Sequence, residues 1–222
     1  QPSAITMTLY FVIFGRMVGS RIGDIEPGIG YIDYIVPGLI MMAVITNSYG
    51  NISSSFFGAK FQRFIEEMLA SPTPPWVILS GYVAGAVLRG LIVAIIVLAI
   101  SLFFTRIHLY HPFVTLTTIL LTAIVFSLAG FVNAIFAKKF DDIALVPTFV
   151  LTPLTYLGGV FYSVNALGSP WKEISYANPI LYMVNAFRYG LLGTSDMPLG
   201  WAYAVMLGFA IVLTALALYL ID

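Results

Sequence analysis

The sequence predicts an all-α integral membrane protein with six transmembrane helices, and three observations predict it. Of its 222 residues, 60% are hydrophobic and only 9% charged, where a soluble domain is about half apolar and about a quarter charged. Mean hydropathy is +0.97. The apolar residues gather into six runs, each approaching or exceeding the roughly 20 residues a helix needs to cross a bilayer.

The first run covers about residues 2–19, behind an opening "QPSAITMTLYFVIFG" that carries no positively charged leader. It reads as the interior of a longer chain, not as a cleavable signal. The second run, about 31–56, contains Pro37 and Gly38, and the third covers about 76–104. The fourth spans about 112–136, the fifth about 143–162 with Pro147 and Pro153, and the last about 199–221. Each proline removes a backbone donor and is expected to interrupt its helix, as a hinge or as a static kink.

Residues 163–192, between the fifth and sixth runs, are too polar for an ordinary span. They hold two short helical patterns, around Trp171–Tyr176 and Pro179–Leu192, the second carried by Ile180, Met183, Val184, Phe187 and Leu191 at helical spacing. Backbone of this kind at membrane depth needs cover from protein or water, so the region is expected to form interfacial or re-entrant helices.

The segment "KFQRFIEEMLASPTPPW", residues 60–76, concentrates charge in an otherwise oily chain. On a helix over 57–70, Phe57, Phe61, Phe64, Ile65, Met68 and Leu69 cover an arc of roughly 100°. Lys60, Arg63, Glu66 and Glu67 take the other side, and Ser71-Pro72 closes the helix. An amphipathic helix along a membrane surface is expected here. Its mixed charge suits a protein partner, because complementary pairs set register; the periodicity fits equally a solvated helix that only joins two spans.

Arg89 is the one charge deep inside a run, which makes it a functional-site candidate by default, as an anchor for an anionic head group or a gate; the alternative is an arginine that snorkels or bonds to the carbonyls of broken helices. Arg16 lies near a span end, where it can snorkel. Gly81-x3-Gly85 and Ala86-x3-Gly90 offer the third run a close-packing face. Tyr31, Tyr34, Trp76, Tyr110, Trp171, Trp201 and Tyr203 sit near run ends, as an interface belt would place them. Asp141 and Asp142 follow Lys138 and Lys139 in a tight turn expected to cap the fifth run. Lys60, Arg63, Lys138 and Lys139 on one side against Arg16, Arg21, Arg106, Lys172 and Arg188 on the other leave the orientation open.

Zero net charge gives no basic field for nucleic acid. The absence of cysteine excludes disulfides, thiolate metal sites and cysteine nucleophiles. No G-x-x-x-x-G-K-[ST] is present, so the chain holds no phosphate-cradling loop of that kind. His108 and His111 share one loop without a third metal ligand and away from any serine at span depth, which argues against a metal site or an intramembrane hydrolase. An ion-coupled carrier or a channel without an ATPase partner remains a competing class. A carrier normally needs intramembrane carboxylates, and Asp33 is the nearest to one.

One longer pattern separates these classes. Leu151-x2-Leu154-x2-Leu157-Gly158-x-Val160, then Leu167-Gly168, then Pro179-Ile180-x-Tyr182-x5-Arg188 resembles the signature of the ABC-2 type transporter permeases. "GAKFQRFIEEMLASP" and "KKFDDIALVPTFVLTPLTYLGGVFYS" also look like this family, and the resemblance covers nearly the whole chain. It implies a six-span exporter subunit of the bacterial inner membrane that works as a homodimer among membrane lipid. Each half would bind a separate cytoplasmic ABC ATPase subunit that holds ATP and magnesium, leaving no catalytic residue and no cofactor in this chain. The segment between spans two and three would be the coupling helix, which places Lys60, Phe61, Arg63, Phe64, Glu66, Glu67 and Met68 at the ATPase. The same resemblance puts residues 57–75 on the cytoplasmic side and 163–192 outside. Arg89, Tyr156 and Phe161 are the candidates for a substrate path or gate, for a lipid-like, saccharide or drug-like substrate. The resemblance departs at the amino-terminal end, where family members usually carry an interface helix and this sequence holds little of one.

Overall fold

The computed structural model describes residues 2–22, 24–26, 28–105 and 109–221. Arg106 and His108 fall outside them, as do the side chains of Arg16 and Leu69. The described residues are mainly helical, and among them one short antiparallel hairpin pairs β1 (Asp24–Glu26) with β2 (Ile29–Gly30).

Among the described residues, four unbroken helices are long and apolar enough to cross a membrane: α3 (Tyr31–Phe61), α5 (Pro75–Ser101), α6 (Pro112–Phe136) and α11 (Leu199–Ile221). Proline occupies the first turn of α5 and of α6, where its missing N–H costs nothing and its fixed φ suits the helix. α3 runs through the centre, packed mainly on α5 and α6, and α11 lies against α6. The outward faces of α5 and α11 expose Leu88, Ile92, Ile95, Ile211 and Val212, which fits lipid as their solvent.

The first and fifth apolar runs are helical without being single α-helices. The first is α1 (Pro2–Tyr10), a π-helical segment (Phe11–Val18) and α2 (Gly19–Ile22). The fifth is α7 (Phe140–Val146), a second π segment (Pro147–Leu151) and α8 (Thr152–Tyr156). Two prolines explain the fifth. Neither Pro147 nor Pro153 can close an i→i−4 bond, the ladder widens, and Thr152 Oγ1 donates to the Pro147 carbonyl at 2.9 Å.

Several boundaries differ from those expected. The fifth helical run stops at Tyr156, not Tyr162, because a turn through Gly158 and Gly159 follows. Gly159 has φ 70°, a conformation that disfavours other residues. The third stops at Ser101, not Phe104. Pro37 does not interrupt α3, because it lies in the second turn and removes only the bond to the carbonyl four residues back.

The polar region 163–192 folds into a 3-10 turn (Val164–Ala166), α9 (Trp171–Tyr176) and α10 (Pro179–Leu192). The last two match the sequence patterns to the residue. α10 starts where Asn178 Oδ1 accepts from the Ile180 N–H at 3.0 Å and stops at Gly193, φ 78°, the common start and stop signals of a helix. It packs on α6, α11 and α3, so its backbone is covered by protein.

Candidate functional site

Three places gather the residues that the sequence singles out. The first is the end of the molecule where α3, α6 and α11 terminate and α5 and α7 begin. α3 does not stop with the apolar run at Phe56; it continues for more than a turn to Phe61. The predicted single helix over 57–70 is broken. Arg63 adopts a left-handed conformation, φ 62° and ψ 9°, and its N–H donates to the Lys60 carbonyl at 3.1 Å. A helix commonly ends on such a residue, but glycine is the usual occupant, and a bulky side chain there costs roughly 1–2 kcal/mol. α4 (Phe64–Ala70) then begins afresh, with Glu66 and Glu67 in its first turn, where acidic groups suit the helix dipole.

This break redistributes the predicted apolar arc. Phe57 is buried, and Ile65 packs against the core shared by α3, α5 and α6. Met68 is half-buried, while Phe61 and Phe64 point outward, 67% and 51% exposed. Phe57 and Phe61 meet the Phe140 ring at 4.9 and 5.3 Å, edge to face. Arg63, Glu66 and Glu67 are exposed beside them.

Lys60 is otherwise engaged. Its ammonium donates to the carbonyls of Ile135 and Ala137, at 2.5 and 3.0 Å. It thereby caps the carboxyl end of α6, where a cation complements the unsatisfied carbonyls. Sequence reading groups Lys60 with the partner-facing charges; the structure spends it on clipping the tip of α3 to α6. On the adjoining turn Asp142 Oδ2 accepts from the backbone N–H groups of Lys138 and Lys139, at 2.8 and 3.0 Å. These two bonds hold its carboxyl below the ordinary value. The cap is complete above the usual carboxylate range and is lost as pH falls through the lowered pKa.

The second place is the middle of the spans. Arg89, on α5, is exposed, and its Nη1 donates to Asn51 Oδ1 on α3 at 3.0 Å. Tyr156 and Phe161, grouped with Arg89 from sequence, lie in a different cluster. The Phe161 ring stacks on Tyr156 at 5.6 Å and approaches Phe14 at 4.8 Å and Tyr10 at 5.9 Å. The Tyr10 and Tyr156 hydroxyls share a 2.9 Å hydrogen bond. This aromatic group joins the first and fifth helical runs.

The third place explains the signature pattern. Leu151, Gly158, Val160 and Ile180 are buried, and Leu154, Leu157, Leu167 and Pro179 are half-buried; only Gly168 is exposed. Asn178 Nδ2 donates to the Leu154 carbonyl at 2.5 Å, and Tyr182 Oη to the Tyr176 carbonyl at 2.9 Å. A Cβ on Gly158 would stand 2.7 Å from Ile180 Cγ2, and one on Gly38 2.7 Å from the Val160 oxygen. Arg188, counted from sequence among the charges of one membrane side, is 1% exposed. Its Nη2 donates to the Gly159 carbonyl at 2.7 Å, and its guanidinium covers the Tyr34 ring at 3.9 Å. The pattern is therefore a joint: it seats the turn after α8 between α3 and α10.

Asp196 completes this joint, and sequence reading missed it. Its carboxylate accepts from Tyr34 Oη at 3.3 Å, Ser163 Oγ at 2.9 Å and Asn165 Nδ2 at 3.2 Å. Its N–H donates to Asn185 Oδ1 at 3.1 Å. Tyr34 is thus a buried network member and not part of an interface belt, and Tyr31 is buried as well, whereas Trp76, Trp171 and Trp201 are exposed as a belt requires. The available signal was an acid eight residues beyond the signature arginine. Likewise His111 is not merely solvated: its ring stacks on Tyr189 at 4.8 Å.

Of the two small-residue pairs on α5, only Ala86 and Gly90 pack within the chain, Gly90 against Ser48; a Cβ at Gly81 or Gly85 would meet nothing within 4 Å. This contrast gives a test of the joint. Gly38→Ala gains up to about 1 kcal/mol of helix propensity, but the clash is with backbone, and overpacking of that kind costs about 1–3 kcal/mol. The expected result is a lower unfolding temperature in detergent for Gly38→Ala and an unchanged or raised one for Gly85→Ala.

The sequence pattern of one family, described as ABC-2 type transporter, matches residues 2–192. The chain is 59% identical over 210 residues to the inner membrane transport permease YadH of Escherichia coli strain K12, an alignment covering 95% of this chain and 82% of that protein. It is 23% identical over 208 residues to nodulation protein J of Rhizobium meliloti, covering 92% of this chain and 78% of that protein.

Proposed function

The chain belongs to the ABC-2 type transporter family and is an inner-membrane transport permease, and on that premise we propose that it is the six-span transmembrane subunit of an ATP-driven exporter. Transport is not itself a catalytic role, and hydrolysis falls to a separate cytoplasmic ATPase subunit that holds ATP and magnesium. Two copies of the permease pair around the path and alternate between inward-open and outward-open states. The broken first and fifth helical runs supply the two spans beyond the four unbroken ones. The cargo is lipid-like, saccharide or drug-like.

The observation that carries this reading is the exposed patch at the α3–α4 break. Phe61 and Phe64 stand outward beside Arg63, Glu66 and Glu67, and Phe136 and Phe140 are exposed on the adjoining turn. Large aromatics flanked by charge of both signs are what a protein interface uses: the rings supply area and the charges supply register. The break at Arg63 separates α4 from α3 and Ile65 seats α4 on the core shared by α3, α5 and α6, while the Lys60 clip and the Phe140 stack tie the tip of α3 to α6 and α7. A push on this end of α3 is therefore delivered to the ends of α6 and α7 as well.

The direct test is copurification of the permease, in detergent, with the P-loop ATPase encoded beside its gene. A stable complex with two copies of each subunit is expected, and so is loss of ATPase stimulation when Arg63 and Glu66 are both charge-reversed. Failure to form any complex would return the chain to an ion-coupled carrier or channel.

A further inference from the structure

We infer that Arg89 and the polar face of α3 beside it form a binding site for a phosphate- or carboxylate-bearing group, at mid-depth in the membrane. The inference deepens the permease reading and rests on it, since it assigns the site to cargo crossing between the two membrane faces.

Position is the first argument. Arg89 lies 14 residues from the start of α5 and 12 from its end, so at 1.5 Å per residue it is roughly 21 Å from one terminus and roughly 18 Å from the other. Both distances exceed half of a hydrocarbon core about 30 Å thick. A guanidinium at that depth is costly against lipid and is tolerated where it meets water or a partner. The hydrogen bond to Asn51 Oδ1 is neutral on the acceptor side, and among the described residues no carboxylate pairs with Arg89. The charge is oriented without being neutralised.

Its setting is the second argument. Thr46, Asn47, Gly50, Asn51 and Ser54 follow one another on α3 within an arc of about 140°. Thr46 and Ser54 are exposed and the other three half-buried, whereas Ile45, Ser48, Tyr49, Ile52 and Ser53 on the remaining faces are buried. Thr46 and Ser54 return their hydroxyls to the carbonyls of Met42 and Gly50, and Asn47 Nδ2 bonds to the Ala43 carbonyl. This uncovered polar strip, near the middle of a membrane helix, ends against the arginine. The face is suited to an aqueous or polar passage, and the guanidinium fork offers a planar, two-point fit to a phosphate or carboxylate.

The ligand chemistry has two sources, an amphiphile with an anionic head group or a free anion. The test uses the full chain in phosphatidylcholine nanodiscs and measures saturable binding of radiolabelled dodecyl phosphate, with empty nanodiscs subtracted. Binding at least about tenfold weaker in Arg89→Gln, and partly retained in Arg89→Lys, is expected for a charge-assisted two-point contact. Asn51→Asp provides a near-isosteric second variant: it places a carboxylate on the guanidinium and is expected to abolish binding with the arginine still present. Displacement by inorganic phosphate at equal concentration assigns the site to a free anion, and its failure assigns it to the amphiphile. Equal binding by wild type and both Arg89→Gln and Asn51→Asp overturns the inference. Assembly with the ATPase, measured on the same proteins, separates the two failures: a complex without Arg89-dependent binding leaves the permease reading standing, and no complex removes that reading itself.

Discussion

Replacing Arg188 by methionine is expected to destabilise the folded chain by about 3–5 kcal/mol, more than any other substitution considered. Methionine fills much of the volume but provides no donor. The Gly159 carbonyl loses a 2.7 Å charge-assisted bond, worth about 1.5–3 kcal/mol, and the Tyr34 ring loses a cation seated 3.9 Å from its centre, worth about 2 kcal/mol when desolvated. Against a typical total of about 5–15 kcal/mol, such a loss removes a large share of the margin. The readout is the unfolding temperature in detergent, together with the fraction eluting as a single species on size exclusion. Arg188→Lys keeps the charge on a shorter reach and is expected to recover only part of the loss. An unchanged unfolding temperature in Arg188→Met would show that the joint is held by apolar packing alone.

Phe64→Asp is expected to weaken assembly with the ATPase subunit by at least about 30-fold, the scale of a hot-spot aromatic worth about 2 kcal/mol. Phe64 is the informative position because it is 51% exposed. The isolated permease loses little on its replacement, so its unfolding temperature should stay within about 0.5 kcal/mol of wild type in free-energy terms. Phe61 is less clean, since its ring also packs on Phe57 and Phe140. Titration of purified ATPase against permease in nanodiscs reads the effect directly. Wild-type affinity in Phe64→Asp would move the contact away from the α3–α4 break.

The two substitutions probe residues of very different legibility. Phe64 and its neighbours are visible in sequence as a charged, helical interruption between apolar runs. The amphipathic pattern is visible too, but not its division. Phe57 goes inward, Phe61 and Phe64 outward, because the helix breaks at Arg63, and no glycine or proline marks that spot. Arg188 is legible only as part of a pattern. Its role depends on Gly159, 29 residues away, and on Tyr34, whose hydroxyl reaches Asp196 across 162 residues. The polar strip of α3 was within reach of the 3.6-residue period, but it was obscured because the same helix also buries Ser48 and Ser53 on its other faces.

By itself the sequence determined the properties that local chemistry controls. Composition set the solvent, apolar run length set four of the spans, and Asn178-Pro179 and Gly193 set the limits of α10 to the residue. Tertiary structure decided which polar groups meet. It put the Lys60 ammonium on the carboxyl end of α6, Asn51 on Arg89, and the Arg188 guanidinium between Tyr34 and Gly159. Hydrophobic periodicity reports which face of a helix is apolar. It carries no information on which distant helix will lie against that face, and long polar side chains such as Lys60, Arg89 and Arg188 take their partners from that packing.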